Sequence, residues 1–152
     1  GGATLPADAP LPAGTGSFSV PLTTAGNQTV TATDTVTASI TGTSGAIAVS
    51  AGAATSFTVT GLTSATAGVP ASVTVTAYDS YGNVATGYAG TVHLTSSDGG
   101  ATLPADATLT AGTGSFSVTL TTAGNQTVTA TDTVTASITG TSDPIPVLPG
   151  AS

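Results

Sequence analysis

Ala111–Thr133 reads AGTGSFSVTLTTAGNQTVTATDT, and the reading of this stretch decides the fold. Phe116, Val118 and Leu120 fall at every second position, with Ser and Thr between them. A period of two places alternate side chains on opposite faces, as in a half-buried β-strand. The alternation resumes over Thr127–Thr131, after Ala123-Gly124-Asn125-Gln126, whose Gly-Asn pair suits a tight turn. The stretch predicts one antiparallel hairpin, apolar inside and hydroxylic outside.

The same stretch occurs twice. Gly1–Ser44 aligns with Gly99–Ser142 at an offset of 98 residues, and three of the 44 positions differ: Pro10 against Thr108, Pro12 against Thr110 and Pro21 against Thr119. Beyond the match, GAIAVSAGAA (45–54) is echoed by DPIPVLPGAS (143–152). The chain is about one and a half copies of a unit of period 98. Such a unit fits a sandwich domain of roughly 100 residues better than a solenoid turn of about 20 to 50.

Composition narrows the class. The chain has no Cys, which excludes disulfides and thiol chemistry. It has no Lys or Arg, and seven Asp carry all the charge, so nucleic acid is not an expected partner. No run approaches the ~18 apolar residues of a membrane span. The absence of Met suggests a processed chain or a piece of something longer. The 35 Thr and 16 Ser make a third of the residues, as in a mucin-like stalk. The Val/Thr alternation argues against disorder, because it builds repeated apolar faces.

Taken in order, Gly1–Ser44 reads as the second half of a unit, with Leu5, Leu11, Phe18, Val20, Leu22, Val30 and Ala32 facing a core. A complete unit, 45–142, then begins with Ile47 and Val49. Strands are expected at Ser56–Thr60, Ser72–Ala77, Thr91–Thr95 and Ala136–Thr141, with a loop over Gly61–Pro70. About seven short strands and no helical periodicity describe an all-β, immunoglobulin-like antiparallel sandwich. The tail, 143–152, repeats the positions of Ile47 and Val49 in Ile145 and Val147. It is expected to be the first strand of a following repeat or a linking tail.

VTVTAYDSYGNVATGYAGTVHLTSSD (73–98) and GTGSFSVTLTTAGNQTVTATD (112–132) resemble the bacterial Ig-like repeats of large surface proteins. They are similar to modules of invasin and intimin type adhesins in the D-x-x-G-N turn at Asp79–Asn83 and the A-G-x-x-T-V-T-A ending at Ala123–Ala130. The resemblance covers nearly the whole chain. It implies an Ig-like fold and a module that serves mostly as a spacer.

Few residues suggest chemistry. His93 projects outward from a strand, and no nucleophile is marked among the many hydroxyls, so no catalytic residues are assigned. Asp79 with Asn83 offers oxygens to Ca²⁺ but lacks the carboxylates of a dedicated cage, and capping the turn is the favoured role. No metal or other cofactor is assigned. Asn27-Gln28-Thr29 and Asn125-Gln126-Thr127 are N-x-T sequons on the expected hairpin tip, where Asn is either the turn residue or a glycan acceptor. The Thr-rich faces are candidates for O-linked sugar. The absence of Lys excludes Lys–Asn crosslinks, and the lack of both Lys and Arg removes every trypsin site.

These readings point to an extracellular or cell-surface structural module of a fibre, sheath or stalk, without enzymatic activity or membrane insertion. The alternative is an adhesin domain that binds a ligand. Half a sandwich leaves strand edges unpaired. Either the chain is cut from a longer array, or the Ile145–Val147 strand enters the first half of a neighbouring copy. The second course would join copies head to tail in a filament.

Overall fold

The computed structural model describes residues 3–150, so the outermost ends of both expected flanking segments (1–2 and 151–152) lie outside the described residues. The chain divides into two units, Gly1–Ala51 and Gly52–Ser152.

The first unit holds four short strands: β1 (Gly26–Gln28), β2 (Thr31–Thr33), β3 (Thr41–Thr43) and β4 (Ile47–Val49). β1 pairs with β4 and β2 with β3, both antiparallel. Leu5, Leu11, Phe18 and Ile40 are exposed, and Pro12–Gly14 forms a single 3₁₀ turn.

The second unit holds β5 (Ser56–Thr60), β6 (Ala65–Thr66), β7 (Pro70–Tyr78), β8 (Thr91–Ser96), β9 (Ala107–Thr108) and β10 (Thr113–Thr119). These are followed by β11 (Gly124–Gln126), β12 (Val128–Asp132), β13 (Thr139–Thr141) and β14 (Ile145–Leu148). One sheet has the order β10-β7-β5, and another β13-β12-β8-β9. A third, smaller sheet runs β11-β14-β6, in which β14 and β6 are parallel and the other pair is antiparallel. The inner residues of these sheets share one core. It includes Phe57 and Val59 of β5, Val73 and Val75 of β7, Val92 and Leu94 of β8, and Phe116 and Val118 of β10. Val128 and Ala130 of β12 and Ile145 and Val147 of β14 complete its central layer. Each strand contributes alternate residues, which is the period of two read from the sequence.

Three expectations are corrected. Residues 115–121 and 127–131 do not form a hairpin. β10 pairs with β7, whereas β12 pairs with β8 and β13, so the connection crosses between sheets. Alternation fixes which face of a strand is buried, and a strand can keep that face while taking a different neighbour. Second, Ile47–Val49 does not open the complete unit. It pairs with β1 as the last strand of the first unit, and the boundary falls after Ala51 rather than at Ser44. Third, Ile145 and Val147 are not on a free tail. They pair with β11 and are almost fully buried in their own unit, because the unit needs this strand to cover one side of its core. The expected loop over Gly61–Pro70 also contains β6, whose two residues run beside β14.

Close approach explains Gly140. A Cβ there would lie 1.8 Å from the carbonyl oxygen of Phe57, so β13 can pass β5 only without a side chain at this position. Gly140→Ala is expected to destabilise the second unit by about 1–3 kcal/mol as an overpacked contact. Phe116→Ala is expected to cost about 3–5 kcal/mol as a core truncation. Urea unfolding checks both, and wild-type midpoints would contradict the packing described.

Candidate functional site

Three aspartates are buried among the described residues: Asp79, Asp98 and Asp132. Each closes a loop by accepting N–H groups. Asp79 follows β7, where the chain must turn, and Gly82 takes a positive φ of 83°. Asp79 Oδ1 accepts the amides of Tyr81 and Asn83 at 2.9 Å, and Oδ2 accepts the Gly52 amide at 2.8 Å and the Asn83 side chain at 2.9 Å. The turn-capping role expected for Asp79 is therefore filled by four donors. Its oxygens already hold N–H groups of the kind that a metal ion would have to displace.

Asp98 ends β8 and ties it to the segment after β10. Oδ2 accepts the amides of Thr121 (2.6 Å) and Thr122 (3.0 Å). Oδ1 accepts the Thr122 hydroxyl at 2.7 Å and the Gly100 amide at 2.9 Å. Asp132 ends β12. Its Oδ1 accepts the amides of Val134 (2.8 Å) and Thr135 (2.7 Å), while Oδ2 takes a short hydrogen bond from the Tyr88 hydroxyl. The Tyr88 ring meets Phe57 edge-on, with centroids 5.3 Å apart, so this latch also seals the core.

The donors set the charge state. The Asn83 side chain, aided by three backbone amides, holds Asp79 down at about 2 despite its burial. Burial pushes Asp98 up, but its four donors outweigh this and lower it to about 2. The Tyr88 hydroxyl and two amides lower Asp132. Burial and the neighbouring Asp132 raise Tyr88 well above the usual phenol range. All three carboxylates are anions stabilised by N–H and O–H dipoles, without a cation.

His93 lies on the exposed face of β8, and its Nδ1 is 2.7 Å from Asp106 Oδ1. Asp98, the nearer acid in sequence, is occupied elsewhere. Both partners of the pair are about half exposed, which makes it a surface contact of small energetic weight. Asn27 and Asn125 are exposed, but on strands β1 and β11 rather than at a turn tip. Ile145 and Val147 are core residues. The structure thus brings no two of the sequence-selected site residues together into a reactive cluster. Among the described residues no group of three His, Cys, Asp or Glu is placed to hold a metal ion. Among the described residues no helix is long and apolar enough to cross a membrane. The latches of Asp98 and Asp132 escaped the sequence reading. The only available signal was an Asp at the polar end of each alternating run.

No protein-family profile matches the sequence, and no curated protein matches it. Solved structures do. The chain is similar to the D00-D0 domain of intimin, with a TM-score of 0.51 and 16% identity, over 97% of this chain and 78% of that one. It also matches domains 4 and 5 of the S-layer protein SbsC (TM-score 0.47, 22% identity, 86% of this chain). A longer SbsC structure, rSbsC(31-844), matches with a TM-score of 0.49, 22% identity and 89% coverage of this chain. The chain spans 62% of the first SbsC structure and 18% of the second. The likeness to the intimin domain shows the fold, an Ig-like antiparallel sandwich of the kind that the sequence resemblance implied.

The latches set a pH dependence. Asp79 and Asp98 fall from a usual value of 3.8 to about 2 on folding. A carboxyl depressed in this way contributes stability that is complete above its unfolded value and lost as pH falls through its folded one. Stability is expected to hold from neutral pH down to about 5 and to drop between about pH 4 and 2. Tyr88 has the opposite sign: its contribution is present below its ordinary value of 10.0 and is lost as pH rises beyond that. Asp98→Asn leaves one acceptor oxygen for four donors and is expected to cost about 1–3 kcal/mol and flatten the acid limb. Urea midpoints across pH check this, and an unchanged acid limb in Asp98→Asn would contradict it.

Proposed function

We propose that the chain is a non-enzymatic structural module of an extracellular, cell-surface repeat protein. Tandem copies of a 98-residue Ig-like unit would act as a spacer in a fibre, sheath or stalk, with neighbouring copies as partners. The observation that carries this reading is the repeat itself. Three differences in 44 positions separate the two copies, and their hydroxyl ladders coincide. Thr129–Thr141 and Thr131–Thr139 are joined at 2.8 and 3.0 Å, and Thr31–Thr43 and Thr33–Thr41 are joined at the same distances. Repetition of an interior lengthens a protein without building a pocket. The buried carboxylates support the reading, because their acceptor sites are spent on the chain's own loops. The fold likeness to an intimin domain supports the surface setting.

The outer faces of the strands are hydroxylic and nearly uncharged, which leaves Thr and Ser to keep them soluble. The exposed Asn27 and Asn125 and these Thr faces are the proposed sites of N- and O-linked sugar.

X-ray scattering from chains carrying two, three and four copies of the 98-residue period tests the spacer. The maximum dimension is expected to grow linearly with copy number, and collapse to a compact particle would contradict it. The masses of peptides cut from native material test the sugar. Peptides that hold Asn27, Asn125 or the Thr faces are expected above their bare polypeptide masses, and bare masses throughout would rule glycosylation out.

A further inference from the structure

In the second unit β7 pairs with β10 and β8 with β12, and the apolar residues of β5, β7 and β8 close one core with those of β10, β12 and β14. The first unit carries the same inner residues 98 positions earlier, but there they are open or only half-buried. Phe18 is 47% exposed where Phe116 is 6% exposed, Leu11 54% where Leu109 is 2%, and Ile47 37% where Ile145 is 1%. Thr113–Thr119 is a strand beside β7, whereas the matching residues 15–21 are not in a strand. A Cβ on Gly42 would meet nothing within 4 Å, although its counterpart on Gly140 would strike β5. A groove of about 380 Å³ in the first unit is lined by Leu5, Leu22, Thr24, Gln28 and Val30, among others.

We infer that this face is a docking surface for one further covering segment with the residue pattern of Gly52–Asp98, which completes the first unit as a second sandwich. The inference rests on the tandem reading above. The second unit shows what the occupant is, because the same residues there are covered by that pattern. Its Phe57 and Val59, Val73 and Val75, and Val92 and Leu94 supply the apolar faces that meet β10, β12 and β14. Its Tyr88 donates to Asp132, and Asp34 occupies the matching place in the first unit, already accepting the amides of Val36 and Thr37.

A second copy of these residues that lent β5 to β8 would bare its own second face, which makes it the poorer occupant. A further segment joined to Gly1 would enter by the route that leads β8 through Asp98 into Gly99, the residue aligned with Gly1. The prolines of the first copy leave this docking intact. Pro10 matches Thr108 on β9, the edge strand of its sheet. Pro12 and Pro21 remove amides that, at Thr110 and Thr119, bond to Thr113 and Thr102 within the same half.

The test compares the chain with a version in which a second copy of Gly52–Asp98 precedes Gly1, each with and without Gly42→Ala. In the extended version the calorimetric enthalpy of unfolding is expected to rise about twofold, since it scales with the number of residues that unfold cooperatively. Gly42→Ala is expected to lower the unfolding midpoint of the added sandwich in the extended version and to leave the original chain unchanged. An unchanged unfolding enthalpy, or a Gly42→Ala substitution silent in both versions, would overturn the inference. So would concentration-dependent association of the original chain that Gly42→Ala abolishes, because that would make a second copy the occupant. Linear growth in the scattering series alongside such a failure would preserve the spacer reading and reject only the docking.

Discussion

The core that β5, β7 and β8 share with β10, β12 and β14 governs everything else in this chain. Phe57, Val59, Val73 and Val75 precede Phe116, Val118 and Val128 by some forty to seventy residues, yet they share one core. Where both sides are present, the inner residues are nearly inaccessible, and β10 and β12 run to seven and five residues. In the first unit the matching side chains are exposed or half-buried, residues 15–21 are not in a strand and β2 has three residues. Near-identical sequence therefore gives different structure according to whether its apolar face is covered. Strand formation here follows burial more than intrinsic β preference.

A chain without Lys or Arg cannot hold its loops with ion pairs, and the structure relies on carboxylates paired to backbone amides. Asp79, Asp98 and Asp132 each sit where a strand of the sandwich ends and the chain must change direction. Dipoles supply the favourable partners, which is why these acids stay ionised in partly dry surroundings. The Thr pairs along β12 and β13 do similar work on the outer face, as hydroxyl ladders between strands. Together these devices let a nearly uncharged chain hold specific loops, with the core supplying most of the driving force.

Much of the fold was legible in residue order. Ser56–Thr60 matches β5 residue for residue, and the inward positions of Val73, Val92, Phe116 and Val128 follow directly from alternation. What alternation could not supply was the neighbour. The connection from β10 to β12 looks like a hairpin because its middle holds Gly-Asn, but the chain crosses to another sheet. The phase of the repeat was not legible either. Ile47 and Val49 close a unit, and no local feature distinguishes a closing strand from an opening one. At the candidate sites, the Asp79 turn was legible from D-x-x-G-N. The Asp98 and Asp132 latches join residues far apart in sequence, and only the folded chain brings Thr121 to Asp98 or Tyr88 to Asp132.

The central claim is that coverage by β5, β7 and β8 decides whether this sequence folds tightly. Amide hydrogen exchange, read side by side in the two copies of the unmodified chain, tests it most directly. The amides of Val118, Leu120 and Val128 are expected to exchange only through global opening of the second unit. Those of Val20, Leu22 and Val30 should exchange at least ~100-fold faster, through local opening. Equal protection of the two sets would contradict the account, because it would show that the shared sequence is stable without its cover.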